Sequence, residues 1–359
     1  MFVKEIRKYL ADNKASAILI DNFAQLQYVL GIYKTIPYGE ARGNLIVGRE
    51  RMILITDPLS RRLIEGFLPD DVRVIIGDGH SFSRDGFLFL KEIKNVAQKE
   101  RLQKIILLNQ RIADFNWSTL KTKFVKENPV LHLADITTGH EKMLIEKAAG
   151  IVDRVYDIVA GEIKDGISEI LLRNRIDELM YGLGAQSTTF PTIVAFGEHT
   201  NQIHAKSGMS KLKKHDLVMV DYGAVVDGVG SDLTRTFVLG KAGLEQKRMW
   251  NAVFAAQKAC LGAIRPGKSG RAIDGISREV IKKHGFKDYY FHTLGHQLGL
   301  LTGKFLLSPG EKGKIKKGML LTVEPGVYTP IGGVRIEDDI VVTDNGIRIL
   351  TKASKIMEV

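Results

Sequence analysis

Four carboxylates planted in apolar, strand-like runs constrain this chain more than any other feature. Asp221 and Asp232 lie in VMVDYGAVVDGVGSDLTRTFVLG, residues 218–240, and Glu324 and Glu337 in LLTVEPGVYTPIGGVRIEDDIVVT, residues 320–343. A single imidazole, His296, sits in FHTLGHQLGL, residues 291–300. A carboxylate in a buried strand is costly unless positive charge compensates it. Arg235 and Arg335 cannot balance four acids, so bound divalent cations are the economical remedy.

The turns predict that the acids meet in pairs. Asp227-Gly228 is a strong short-hairpin signal, with both central residues at positive φ. If Val226 faces Val229, Gly223 faces Asp232, and Asp221 shares that face one diagonal away, roughly 7–8 Å at the backbone. A turn at Pro330-Ile331-Gly332-Gly333 pairs Thr329 with Val334 and Gly326 with Glu337, putting Glu324 and Glu337 on a second shared diagonal. Solvation or ion pairing would explain any one of these acids. Five ligand-type side chains at same-face spacing point instead to a site for two divalent metals. Oxygen-rich donors with one imidazole suit Mn²⁺, Co²⁺, Fe²⁺ or Zn²⁺. Arg335, beside Glu337, is expected to steady the carboxylates, because a guanidinium forks onto two oxygens.

The run from Phe190 to Val342 resembles the metallopeptidases of the prolidase, aminopeptidase P and methionine aminopeptidase group. The resemblance rests on DYG(x)₇SDLTRTF, LGHQLGL, TVEPGVY and GVRIED, in that order. It implies an α/β N-terminal domain (creatinase-like) followed by an α+β pita-bread catalytic domain. It also implies that Asp221 chelates one metal, that His296 and Glu324 hold the other, and that Asp232 and Glu337 bridge the two. The implied activity is that of a metal-dependent exopeptidase of the Xaa-Pro dipeptidase or Xaa-Pro aminopeptidase type, acting on short peptides. In such a site a metal-bridging water is activated to hydroxide and the scissile carbonyl is polarised. Glu324 moves the proton, and His204, in the loop FGEHTNQIHAKSG, is the catalytic histidine near the scissile bond. His292, four residues before His296, either supports the metal site from behind or serves as an ordinary strand histidine. His199, His215 and His284 have no motif and are expected at the surface.

The chain departs from the family pattern on the substrate side. The family histidine seven residues after the metal histidine is replaced by Gly303. Gln297 stands for the second glycine of GHG, Val229 for a common tyrosine and Ile203 for a proline. These departures keep two other readings open: a pita-bread metalloenzyme with non-peptide C–N hydrolase or lyase chemistry, and a non-enzymatic binding module of the same fold.

Composition narrows the rest. At 359 residues the chain exceeds one core, and the expected domains are 1–135 and 136–359. No run of about 18 apolar residues is present to span a bilayer, and MFVKEIRKYLADNK is a charged amphipathic start rather than a signal peptide. One cysteine, Cys260, allows no intrachain disulfide and fits a reducing cytoplasm. The formal charge is +11, but lysines and arginines are scattered without interleaved aromatics, which argues against a nucleic-acid surface. Relatives of this kind imply a homodimer. In the N-terminal part, strands at Ser16–Ile20, Leu45–Gly48, Met52–Thr56, Val72–Ile76, Lys104–Leu108 and Val130–Leu133 alternate with helices near Glu5–Asn13, Leu59–Phe67, Phe87–Lys99 and Trp117–Val125. Two helices are expected before each metal hairpin, near 140–163, after Ser168, and near 244–263 and 271–284, which suggests a duplicated helix–helix–sheet unit.

Overall fold

A computed structural model describes residues 2–21, 23–32, 42–77, 89–108, 122–126, 139–299 and 305–359. The chain divides into two compact units, Met1–Ala134 and Asp135–Val359.

The first unit is a six-stranded mixed sheet in the order β4-β3-β2-β1-β5-β6. Its strands are β1 (Ala17–Ile20), β2 (Gly43–Gly48), β3 (Met52–Thr56), β4 (Val72–Ile76), β5 (Lys104–Leu107) and β6 (Lys123–Lys126). Helices α1 (Phe2–Asp12), α2 (Phe23–Leu30), α3 (Pro58–Ile64) and α4 (Leu90–Lys99) accompany it. Ala17, Leu19, Ile53 and Ile105 of the sheet bury one face against Ile93 and Val96 of α4. α3 starts where it does because Asp57 accepts hydrogen bonds from Leu59 N and Ser60 N, with Pro58 behind it in the first turn. One expectation is corrected: residues 123–125, assigned above to the end of a helix, belong to a strand, Lys123–Lys126, paired parallel to β5. Phe124 and Val125 favour the extended state once a neighbouring strand offers its edge, and local propensity yields to that pairing. The expected strand at Val130–Leu133 lies outside the described residues.

The second unit repeats one arrangement. Helices α5 (Gly139–Glu162) and α6 (Glu169–Gly182) precede β7 (Ser187–Thr188), β8 (Ile193–Phe196), β9 (Leu217–Tyr222), β10 (Ala224–Val226), β11 (Val229–Gly230) and β12 (Leu233–Val238). Helices α7 (Leu244–Ala263) and α8 (Gly270–Lys283) then precede β13 (Gly295–His296), β14 (Leu306–Leu307), β15 (Leu320–Val323), β16 (Gly326–Thr329), β17 (Gly332–Arg335), β18 (Asp338–Val342) and β19 (Ile347–Ile349). Val152, Val155 and Tyr156 of α5 pack on Val218, Val220 and Phe237. Met249 and Val253 of α7 pack on Val327 and Val334. Each helix pair thus covers the outer face of one metal hairpin and leaves its inner face for polar side chains.

The first hairpin has the expected register. Val226 pairs with Val229 and Thr234 with Asp221, and the turn residues Asp227 and Gly228 have φ of 46° and 80°. The second differs. Its turn is tighter, with Thr329 paired to Gly332 and Gly326 to Arg335, so only Pro330 and Ile331 lie between the strands. Val323 pairs with Asp338 in the same register, which sets Glu324 directly across from Glu337 instead of on a diagonal. The slip from the expected pairing is two residues, so both acids keep their face; a slip of one would have turned Glu337 away.

Gly223 fills the tightest point between Asp221 and Asp232: a Cβ there would meet Ser231 O at 2.0 Å. Gly223→Ala is therefore expected to cost about 1–3 kcal/mol by overpacking and to lower metal content as well. Thermal unfolding together with elemental analysis checks both effects.

Candidate metal centre

The two hairpins deliver their acids to one place. Oxygen atoms of Asp221, Asp232 and Glu337 all lie within 4.8 Å of one another. His296 Nε2 stands 3.6 Å from Asp232 Oδ2 and 3.7 Å from Glu324 Oε1, which joins the other two side chains to the group. Burial is graded across the cluster. Glu337 is 1% exposed, Asp221 and Asp232 7% each, while the Glu324 and His296 side chains are 17% and 32% exposed. The histidine side is the open side.

The local sequence explains how the acids are aimed. Along β12 the side chains alternate. Thr234 and Thr236 reach the second hairpin: Thr234 Oγ1 donates to Glu337 Oε2 at 2.7 Å, and Thr236 Oγ1 donates to Arg335 O at 2.9 Å. Arg235 points the other way, to Asp338 at 2.8 Å and to the carbonyl of Ala353. Glu337 N donates to Thr234 O at 3.1 Å, so the deepest acid is fixed through backbone and side chain to the opposite hairpin. Asp232 N donates to Asp339 Oδ2, and Thr322 Oγ1 both accepts from His296 N and donates to Glu324 Oε1.

Arg335 lies at the centre, 1% exposed. Its Nη2 pairs with Asp221 Oδ2, its Nε donates to Thr234 Oγ1 at 3.1 Å, and its Nη1 donates to Tyr328 Oη at 2.7 Å and to Ile203 O at 3.3 Å. The fork expected on two carboxylate oxygens is instead divided among one carboxylate, two hydroxyls and a carbonyl, because Thr234 stands between the guanidinium and Glu337.

One buried guanidinium does not neutralise the cluster. Burial pushes the Asp221 carboxyl up to about 6, against the pull of Arg335, and Asp232 adds to the rise. Glu324 is pushed up to about 7 by burial, opposed by His296 and reinforced by Asp232. Glu337 lies well above its ordinary value, from burial and then from Asp232. Burial alone would lower the His296 value, but Asp232 and Glu324 outweigh it and raise it to about 9. Asp221 Oδ1 and Glu337 Oε1 are buried and have no hydrogen-bond partner. Bare acceptor oxygens, mutual repulsion and an imidazole at the rim are what a divalent-cation site requires.

The remaining histidines fall into distinct places. His204 is exposed, on the loop that Arg335 holds through the carbonyl of Ile203. His292 packs edge-on against Tyr290 and Tyr328, with ring centroids 5.2 and 5.4 Å away. Burial, and then Arg335, lowers its value to about 3. Its ring is therefore neutral, with the Nδ1 hydrogen donated to Thr293 O and Nε2 left as a buried, unpartnered acceptor. His215 and His284 are exposed. His199 is not a plain surface residue. Its Nδ1 donates to Glu169, fully buried, at 2.7 Å, and the same carboxylate accepts from Phe196 N and Gly208 N. Glu169 thereby clamps both ends of the His204 loop. Its position in the first turn of α6 resembled a routine helix start, which is why the sequence alone did not mark it. Gly303 lies outside the described residues.

Fold and site together define a metallohydrolase built on two carboxylate hairpins. A family model for metallopeptidase family M24 matches residues 143–344. The chain is 29% identical to an Xaa-Pro dipeptidase of Pyrococcus furiosus over 98% of both chains, and 30% identical to an uncharacterised peptidase of Staphylococcus epidermidis over 98% of this chain and 99% of that one. Among solved structures, an Xaa-Pro dipeptidase from Bacillus anthracis superposes with a TM-score of 0.86 at 26% identity, covering 99% of each chain. A prolidase from Pyrococcus horikoshii gives 0.84 at 28%, covering 98% of each. The chain belongs to metallopeptidase family M24. It is a metal-dependent peptidase, and its catalytic unit has the pita-bread fold.

The raised values make a pH prediction. Between 3.8 and about 6 for Asp221, 4.5 and about 7 for Glu324, and 6.5 and about 9 for His296, the metal-free folded chain holds protons that the unfolded chain has released. Stability falls with pH wherever the folded state binds more protons. The metal-free protein should thus lose stability as pH rises through that window. Chelator-treated protein is expected to melt several degrees lower at the alkaline end than at the acid end; a rising profile would contradict the charge imbalance.

Proposed function

We propose that this chain is a dinuclear-metal Xaa-Pro dipeptidase, hydrolysing short peptides with proline in the second position. The observation that carries the reading is the convergence of Asp221, Asp232 and Glu337, with His296 and Glu324 on the open rim, in a chain whose full-length relatives are named for that activity. The non-peptide C–N hydrolase and binding-module readings are not favoured, since the relatives are peptidases and the acidic cluster is complete.

Asp221 would hold one divalent ion, His296 and Glu324 the other, and Asp232 and Glu337 both. When bound, the two ions supply Lewis acidity toward the scissile carbonyl and acidify an attacking water. Glu324 is the acid whose carboxylate is partly open, and with Thr322 on one oxygen it can hold the water's proton and release it to the leaving amine. His204, exposed on its clamped loop, would donate to the substrate near the scissile bond. His292 would present its bare Nε2 to a substrate N–H, while Arg335 keeps Asp221 ionised and aimed. The first unit is read as a creatinase-like domain, the protein as a cytoplasmic homodimer, and its metal as one of Mn²⁺, Co²⁺, Fe²⁺ or Zn²⁺. The single buried cysteine and the absence, among the described residues, of a helix long and apolar enough to cross a membrane agree with the cytoplasmic reading.

A panel of dipeptides and tripeptides, with and without proline in second position, assayed after loading each of the four metals, tests the function. Hydrolysis of an Xaa-Pro dipeptide that requires metal is expected; inactivity on every peptide with every metal sinks the reading. Asp232→Asn or Glu337→Gln should strip both ions and abolish turnover, whereas Asp221→Asn should weaken mainly one. Elemental analysis separates these outcomes. Because Gly303 stands where the family has a substrate histidine, wild-type turnover on proline dipeptides should be slow, and Gly303→His should raise kcat. A single lost contact of this kind costs about 10²–10³ in turnover. Fast wild-type turnover unchanged by the substitution would assign that role to another residue.

A further inference from the structure

The hairpin that carries Glu324 and Glu337 is interrupted at those residues. Ladder pairing ends at Val323–Asp338 on one side and resumes at Gly326–Arg335 on the other. Glu324 and Glu337 face each other as the non-hydrogen-bonded pair, so their amides point outward, Glu324 N to Leu294 O and Glu337 N to Thr234 O. Ile336 N reaches Pro325 O at 3.5 Å, marking Pro325 and Ile336 as a pair that would exchange two bonds in a regular antiparallel ladder. Proline has no N–H to return. Ile336 O is left without its ladder donor, inside the core and one residue before the deepest metal acid.

Gln257 supplies what is missing. It lies in α7, 1% exposed, and its Nε2 donates to Ile336 O at 3.1 Å and to Val323 O at 3.2 Å. Those carbonyls belong to the residues immediately before Glu337 and Glu324. One amide therefore ties both strands together where the ladder keeps only the long Ile336 N to Pro325 O bond, and anchors them to a helix. We infer that Gln257 is a positioning residue for the metal centre, setting the separation of Glu324 and Glu337 by replacing the hydrogen bond that Pro325 cannot make. The inference rests on the reading of those two glutamates as metal ligands. No other function is needed for a glutamine this buried: a leucine there would pack against the same core but leave Ile336 O unsatisfied.

The test is Gln257→Met, which keeps the side chain's length and removes both donors, with Co²⁺ binding followed by titration and by the visible spectrum of the bound ion. Loss of an outer partner of a metal site typically weakens affinity about 10–100-fold, and that loss, with an altered spectrum, is expected. Val253→Ala, a cavity one turn away in the same helix that leaves both Gln257 donor bonds in place, should lower stability without moving Co²⁺ affinity. The distinguishing variant is Gln257→Met combined with Pro325→Ala, which returns a backbone N–H opposite Ile336 O and should recover much of the affinity. Unchanged Co²⁺ affinity and spectrum in Gln257→Met overturn the inference, as does an equal loss in Val253→Ala. If Gln257→Met does not fold, the double variant is expected to fold; a double variant no better than the single one, in yield or affinity, also overturns it. Failure of the wild type itself to bind Co²⁺ would instead remove the metal-centre reading on which this rests.

Discussion

The catalytic unit is organised around a charge imbalance that no side chain among the described residues corrects. Arg335 offers one positive charge, spent on Asp221, and Arg235 is committed to Asp338 on the far side of the sheet. Asp232, Glu324 and Glu337 face one another with only the His296 imidazole between two of them. In a buried setting such a group is either protonated or bound to a cation. The fold holds the acids together nonetheless, because helices and strands behind them bury apolar surface that the repulsion cannot undo. On the proposed reading of these acids as metal ligands, a bound cation would relieve that repulsion, and affinity for the ion and stability of the fold would become one quantity.

That repulsion is contained by polar side chains rather than by sheet hydrogen bonds. The two hairpins do not form one continuous sheet; β12 meets β17 through Thr234 and Thr236, whose hydroxyls stand in for ladder donors and acceptors. The same device recurs at Thr322, which couples His296 to Glu324, and at Thr200, whose hydroxyl accepts from Gly333 N and donates to Gly197 O. A threonine at such a junction serves two chains at once, and its β-branched side chain is already stiff in a strand. The carboxylates can then converge without the backbone having to pair in one plane.

The sequence made the clustered acids legible because burial and charge conflict there in plain view. A carboxylate in a valine-rich strand needs a physical reason, and the Asp227-Gly228 turn supplies the register from local chemistry alone. The second register was not legible to the residue. Pro330-Ile331-Gly332-Gly333 permits either a two-residue or a four-residue loop, and the choice follows from Gly332 and Gly333 packing under Thr200, where a Cβ on Gly333 would lie 2.2 Å from Thr200 O. The strand at Lys123–Lys126 escapes the sequence for a similar reason: the partner that makes it a strand lies at β5, far from any local signal. Glu169 and Gln257 carry no motif either. Their meaning appears only when the carbonyls and amides they satisfy are brought within 3.2 Å.

The gradient of exposure across the cluster divides its labour. Glu337 and Asp221 are buried, and Thr234 and Arg335 hold their carboxylates in place. Glu324 and His296 line the open edge, where a peptide must enter, and there the environment can change during a reaction cycle. A group that is to take and release a proton has to see both states at little cost, and burial pushes the Glu324 carboxyl up to about 7 in the metal-free site. Among the departures from the family pattern, Gln297 and Val229 are buried, whereas Ile203 is half-buried beside the exposed His204. Substitution there can alter which peptide is accepted and how quickly it turns over while the metal-binding frame beneath stays intact, because that frame is held by contacts the substrate never touches.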